Sequence, residues 1–180
     1  MLYLQHMTGN GSQHDKLRRD IADIGGQCLG RATRQTANRL TRHYNRYLAP
    51  YGLEVTQFTV LCAIALDAAP SASALAAVIG IERSTLNRNL KPLESAGLIS
   101  RTAGHGRTVR YCLSDKGLAL LARAHPAWRK AQDALTQHLP PSDPEALHDA
   151  LKRVRRAVKA ASADGQHAEP DVNLPTTDDT

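Results

Sequence analysis

The chain has 180 residues, 23 Lys and Arg against 17 Asp and Glu, and 42% apolar residues, which suits one folded domain with tails. Its longest uncharged runs, 55–66 and 68–81, are separated by Asp67 and the second holds Pro70, so neither spans ~30 Å of hydrocarbon and a membrane protein is excluded. No basic segment followed by an apolar run opens the chain, and three cysteines (Cys28, Cys62, Cys112) match neither a disulfide framework nor a zinc site, so a cytoplasmic location, free thiols and no cofactor are expected.

The charge is unevenly placed. Between Lys16 and Ala163 lie all 23 basic residues but only 11 of the acids, an excess of twelve positive charges that points to a polyanionic partner. Residues 1 to 20 are polar, with Gly9, Asn10, Gly11 and Ser12 together, and residues 164–180 are acidic and free of aromatics; both read as disordered ends. From Cys28 to Leu48 the positions Leu29, Ala32, Thr36, Leu40, Tyr44, Tyr47 and Leu48 recur at steps of three and four, an amphipathic helix. Its other side carries Arg31, Arg34, Arg42 and Arg46, a charged face to which the sequence assigns no function. Pro50 and Gly52 end it, and Thr56 is expected to cap a second helix with Phe58, Leu61 and Ile64 on its apolar face.

The next stretch carries the chemistry. Ser71 or Ser73 caps a short helix over 75–79, Gly80 sits in a tight turn, and Glu82 opens a longer helix that runs to Ala96 and stops at Gly97, the helix-turn-helix pattern. On a helical wheel Leu86, Leu90 and Leu93 share one side, while Ser84, Asn87, Arg88 and Lys91, with Thr85 beside them, offer hydroxyl, amide, guanidinium and ammonium groups and no carboxylate. Those groups match phosphate oxygens and base edges.

After Gly97 the period drops to two. Residues 98–102 and 107–113 read as strands of a hairpin whose tip holds His105 and Arg107, so the whole is a mostly α winged helix with a small β-hairpin wing able to place Arg107 in a minor groove. Ser114 and Asp115 start a long helix to Leu139, bent near Pro126, and a last helix covers 145–160. A compact winged helix needs only roughly 70 residues, so the first helix and the last two must bury apolar faces elsewhere, and a homodimer interface is the expected place. The segments divide as 21–53 and 114–163 for dimerisation and 54–113 for DNA binding. A two-fold dimer implies a pseudo-palindromic site in double-stranded DNA, with half-sites about one helical turn apart.

These residues resemble the MarR family of bacterial winged-helix transcriptional regulators. The matching pieces are the run Leu48 to Leu53 followed by Thr56-Gln-Phe58, the segment Ile81 to Glu94 ending in Ala-Gly-Leu-Ile99, and Arg107 seven residues before Ser114-Asp-Lys-Gly117. The resemblance covers residues 27 to 160 and implies a dimer clasped by its terminal helices and repression relieved by a small molecule or by thiol oxidation. It makes His43, Tyr44, Tyr47 and Trp128 candidate effector-lining residues and Cys28 a candidate redox thiol. His105 stands where family members commonly carry Asp, two residues before the wing Arg. Peroxide-sensing members place their Cys fourteen residues before a first-helix Tyr, a spacing that falls on Gly30 here, counted from Tyr44.

An enzyme is not expected. Cys28 and His43 stand fifteen residues apart on one helix, more than ~20 Å by rise, and no Gly-rich phosphate loop, metal-spaced cluster or convergent carboxylates appear. The rival to DNA is a winged helix used for protein or RNA contacts, because the fold does not dictate the function.

Overall fold

A computed structural model describes residues 8–69, 71–103 and 109–165, with side chains from Gln13 to Ala163. The chain divides into two compact units, 1–132 and 133–180. The first holds α1 (Thr8–Gln27), α2 (Leu29–Leu48), a 3-10 turn (Ala49–Tyr51), α3 (Val55–Ala65), α4 (Ala72–Ile79), α5 (Arg83–Ser95), the strands β1 (Ile99–Ala103) and β2 (Val109–Leu113), and most of α6 (Asp115–Thr136); α7 (Asp143–Gly165) lies in the second. The fold is mostly helical with an antiparallel hairpin, as expected of a winged helix. Among the described residues no single helix is long and apolar enough to cross a membrane.

One core joins α2 to α6. Leu48, Phe58, Val60, Leu61, Ile64, Leu75, Leu86, Leu90, Leu93, Leu98 and Ile99 are buried and pack together with Ala124 of α6. The three leucines of α5 at 86, 90 and 93 are 0–2% exposed, so the wheel's apolar side is the packed one. Gly80 adopts φ +78°, a left-handed conformation that costs a glycine little, and its N–H and that of Ile81 both donate to the Ala76 carbonyl, closing α4 before α5 starts. At Gly117 a Cβ would sit 2.0 Å from the Leu98 carbonyl oxygen, so the start of α6 passes the strand entry at a distance only glycine permits. Ser114 Oγ donates to the Gly97 carbonyl and accepts from the Gly117 N–H, fixing that crossing.

Several boundaries differ from those read in the sequence. Ser71, not Ser73, caps α4 by accepting from Ala74 N–H at 3.2 Å. At α3 the cap is Glu54 rather than Thr56, because Glu54 N–H is taken by Gln57 Oε1 at 3.0 Å in a capping box and Asn45 Oδ1 accepts the Val55 N–H at 2.7 Å. α6 ends at Thr136 rather than Leu139, and α7 begins at Asp143, two residues early, where Asp143 and Glu145 favour a helix N-terminus, and continues to Gly165.

The largest difference is at the start. The expected disordered extension over 1–20 is helical from Thr8, and α1 stops only at Cys28. Composition there is glycine-rich and polar, but Leu17, Ile21 and Ile24 recur at steps of four and three, a helical repeat that the polar average conceals. These three side chains are 56–62% exposed, so among the described residues the stripe is mostly uncovered. Residues 166–180, the rest of the acidic tail, lie outside the described residues.

Candidate nucleic-acid interface

The exposed side of α5 is built by the burial of its other side. With Leu86, Leu90 and Leu93 locked in the core, Ser84, Asn87, Arg88 and Lys91 are forced outward, and Thr85 stands half-buried at the margin. Arg88 lies back along its own helix, its Nε and Nη2 each 3.4 Å from the Ser84 carbonyl and Thr85 Oγ1, long contacts that a better acceptor would displace. Pro92 falls in the last turn of α5, beyond this face.

Beside the helix runs a groove of about 690 Å³ between α5, the start of α4 and the hairpin. It is lined by Arg83, Asn87, Lys91 and Arg101 with Ser71, Ser73, Leu90, Val109 and Tyr111, and among the described residues no carboxylate lines it. Arg83 was legible in the sequence and missed there, since 83, 87 and 91 repeat every four residues along one helix face. Arg101 was not legible. It reaches the groove through the hairpin register, where it faces Tyr111 across the strands.

Two guanidinium–carboxylate pairs hold the hairpin against the helices. Arg101 of β1 binds Glu94 of α5 with both nitrogens, its Nη2 2.7 Å from Oε2, and its guanidinium also lies over the Tyr111 ring at 5.9 Å. From the opposite face, Arg110 of β2 binds both carboxylate oxygens of Asp67, which follows α3 in a left-handed conformation at φ +49°. The hydrogen bond and charge of Arg110 hold the Asp67 carboxyl below the ordinary aspartate value, and each arginine is pushed further up by its partner. The only acid on the second half of α5 is thereby neutralised, leaving the groove side basic. His105 and Arg107, expected at the wing tip, lie outside the described residues.

The other candidates gather where α2 meets α6. Tyr44 and Phe58 flank the Trp128 ring in near-parallel stacks with centroids 6.5 and 6.2 Å away, and Tyr44 donates to Gln132 Oε1. His43 Nε2 lies 2.8 Å from the Ala131 carbonyl, which can only accept, so Nε2 carries the proton and Nδ1 is free to accept. Tyr47 packs on His43 with centroids 5.3 Å apart. Burial pushes the Tyr44 hydroxyl above its ordinary pKa, keeping it neutral. The four residues named from the sequence are thus brought together, with Phe58 and Gln132 added by the fold. Cys28 is exposed at the N-cap of α2, its Sγ accepting from Arg31 N–H at 3.4 Å, and it has no cysteine partner. Among the described residues no group of three or more His, Cys, Asp or Glu side chains is placed to hold a metal.

A family model described as MarR family matches residues 51–108. The chain is 37% identical to the M. tuberculosis transcriptional regulator MosR, with TM-score 0.67, over 74% of this chain and 97% of that one. It is also similar to the transcriptional repressor CouR bound to a 23-mer DNA duplex (31% identity, TM-score 0.63, 73% and 95% coverage). A mutant MarR from E. coli complexed with operator DNA gives 28% identity and TM-score 0.65, over 73% and 96% of the two chains. No curated protein sequence matched the chain.

Proposed function

From the premise that this chain belongs to the MarR family of transcriptional regulators, we propose that it is a homodimeric, sequence-specific DNA-binding repressor of the cytoplasm, released from its operator by a small-molecule effector. The observation that carries the reading is the outward side of α5. Ser84, Thr85, Asn87, Arg88 and Lys91 stand opposite a fully packed leucine side and beside a groove without carboxylates. Relatives of this fold bound to DNA, MosR and CouR among them, support it. Binding rather than catalysis is its work.

In this reading 54–113 binds DNA, while 21–53 and 114–163 serve the dimer. Arg88 reads bases, since a guanidinium near the start of a recognition helix pairs bidentately with guanine, and Asn87 beside it suits adenine. His105 and Arg107 belong to the wing, where contact is to groove width and phosphate potential. The effector acts at His43, Tyr44, Tyr47 and Trp128, where α2 and α6 meet.

The test is binding of variants to an operator selected from random duplexes, and to its single-base changes, over a salt series. Arg88→Ala relaxes base preference. Arg107→Ala weakens all sequences alike and lowers the salt slope by roughly one ion. Equal loss on every sequence in Arg88→Ala refutes base reading by that residue, and footprints without dyad symmetry refute the dimeric site. The exposed Cys28 thiol favours a second switch by oxidation; loss of peroxide-driven DNA release in Cys28→Ser alone would replace the effector reading with it.

A further inference from the structure

The hairpin presents two faces. Arg101 of β1 stands across from Tyr111 of β2, and with Val109 these side chains border the groove beside α5. Thr102, Arg110 and Cys112 alternate with them on the other face. Glu94 follows Lys91 by three residues on α5, a spacing at which a helix commonly pairs its own charges, yet both Glu94 oxygens go to Arg101. Among the described residues Lys91 is left without an ion pair.

The Glu94–Arg101 pair does more for direction than for stability. The Arg101 side chain is 61% exposed, and an ion pair so open to water adds little to folding. What it fixes is the guanidinium plane: Nε and Nη2 each donate to one Glu94 oxygen, and the guanidinium carbon lies 5.9 Å from the Tyr111 ring centroid. Among the described residues Nη1 makes no hydrogen bond, so both its N–H groups remain for an acceptor in the groove. An arginine already oriented in this way loses less rotamer freedom when it meets a phosphate.

We propose, resting on the DNA-binding reading above, that Glu94 is a positioning residue: it aims Arg101 into the groove so that Nη1 meets a backbone phosphate of the duplex seated on α5. If Glu94 merely cancelled Arg101, its carboxylate would repel the polyanion, and removing it would tighten binding. If Glu94 aims Arg101, removing it weakens binding. The two roles differ in sign.

The experiment measures Kd of the full chain for the selected operator over a salt series, for wild type, E94Q, R101Q, E94Q/R101Q and E82Q. The amide in E94Q offers one acceptor where the carboxylate offers two, and its NH2 opposes a guanidinium N–H, so the two-point grip is lost. E82Q is the charge control: it removes the carboxylate at the N-cap of the same helix, whose side chain makes no capping bond, and should bind at least as tightly as wild type. R101Q should weaken binding roughly tenfold and lower the salt slope by roughly one ion per protomer. E94Q should weaken binding and lower the slope as well, although it raises the net charge, and should cost nothing further in the R101Q background. Tighter binding by E94Q, a slope that does not fall, or an R101Q chain that binds as wild type overturns the positioning role and leaves the DNA reading intact. A loss in E94Q that persists in full beside R101Q marks a fold defect and overturns it too. A wild-type chain that binds no duplex overturns the DNA reading and the positioning role together.

Discussion

α1 and α5 carry the same kind of apolar repeat with opposite outcomes. Leu17, Ile21 and Ile24 of α1 are spaced as Leu86, Leu90 and Leu93 of α5 are, at steps of four and three, yet the first three are more than half exposed and the second three almost fully buried. Periodicity specifies a helix and which side is apolar; whether that side has a partner depends on the rest of the chain. α5 is enclosed by α3, α4 and β1, and so can aim Arg88 and Lys91 outward with precision. Among the described residues α1 has no such enclosure.

The sharpest way to break that contrast is truncation on each helix. Leu86→Ala or Leu90→Ala should lower unfolding free energy by ~2–5 kcal/mol in denaturant titrations, through lost burial plus a cavity. Ile21→Ala should stay within about 0.5 kcal/mol at low protein concentration. A large, concentration-dependent loss for Ile21→Ala would mean that a second copy covers α1.

Glycine substitution divides α1 from the packed core, here at the start of α6, by sign. Gly117→Ala drives a Cβ into the Leu98 backbone carbonyl and should destabilise by ~1–3 kcal/mol, since neither backbone can yield cheaply. Gly26→Ala in α1 meets nothing within 4 Å and should raise local helix stability by up to ~1 kcal/mol, measured by amide exchange.

A smaller effect is expected at the hairpin. Asp67→Asn keeps a residue tolerant of positive φ but removes the charge that holds Arg110, so β2 amides should exchange faster with the core unchanged. Because the folded Asp67 pKa is depressed, its contribution is complete above the ordinary aspartate value of ~3.9 and is lost as pH falls through the lower folded value. The same Asp67→Asn substitution should abolish that acid-side step; an unchanged acid profile would show that the pair contributes nothing.

The smallest expected difference is chemical. Cys28, at the end of α1, and Cys112 are exposed, whereas Cys62 is half-buried in α3 with its thiol pKa raised by burial. A thiol reagent at mildly alkaline pH should modify two cysteines promptly and the third slowly, and equal rates for all three would place Cys62 outside the packed region.

Much of the outward basic face of α5 is legible in the sequence. The outward set Ser84, Asn87, Arg88 and Lys91 follows from a 100° step and three leucines, and Arg83 follows from the same step although it was not singled out with them. Arg101 and Tyr111 were hidden because their meeting depends on strand register, a relation between segments that no local pattern states. The Asp67–Arg110 pair was hidden for the same reason, being forty-three residues apart in sequence.

By itself, then, the sequence determined the helices from α2 onward, the hairpin and the basic outward face of α5, because each depends on spacing within a dozen residues. Its polar average misled at the N-terminus, where α1 forms with an exposed apolar stripe of three residues along one face. Tertiary structure alone decided which caps form at α3 and α4 and which carboxylates hold Arg101 and Arg110. Those outcomes are set by the approach of elements distant in sequence, where a side chain's charge is cancelled or left free by whichever neighbour packing delivers.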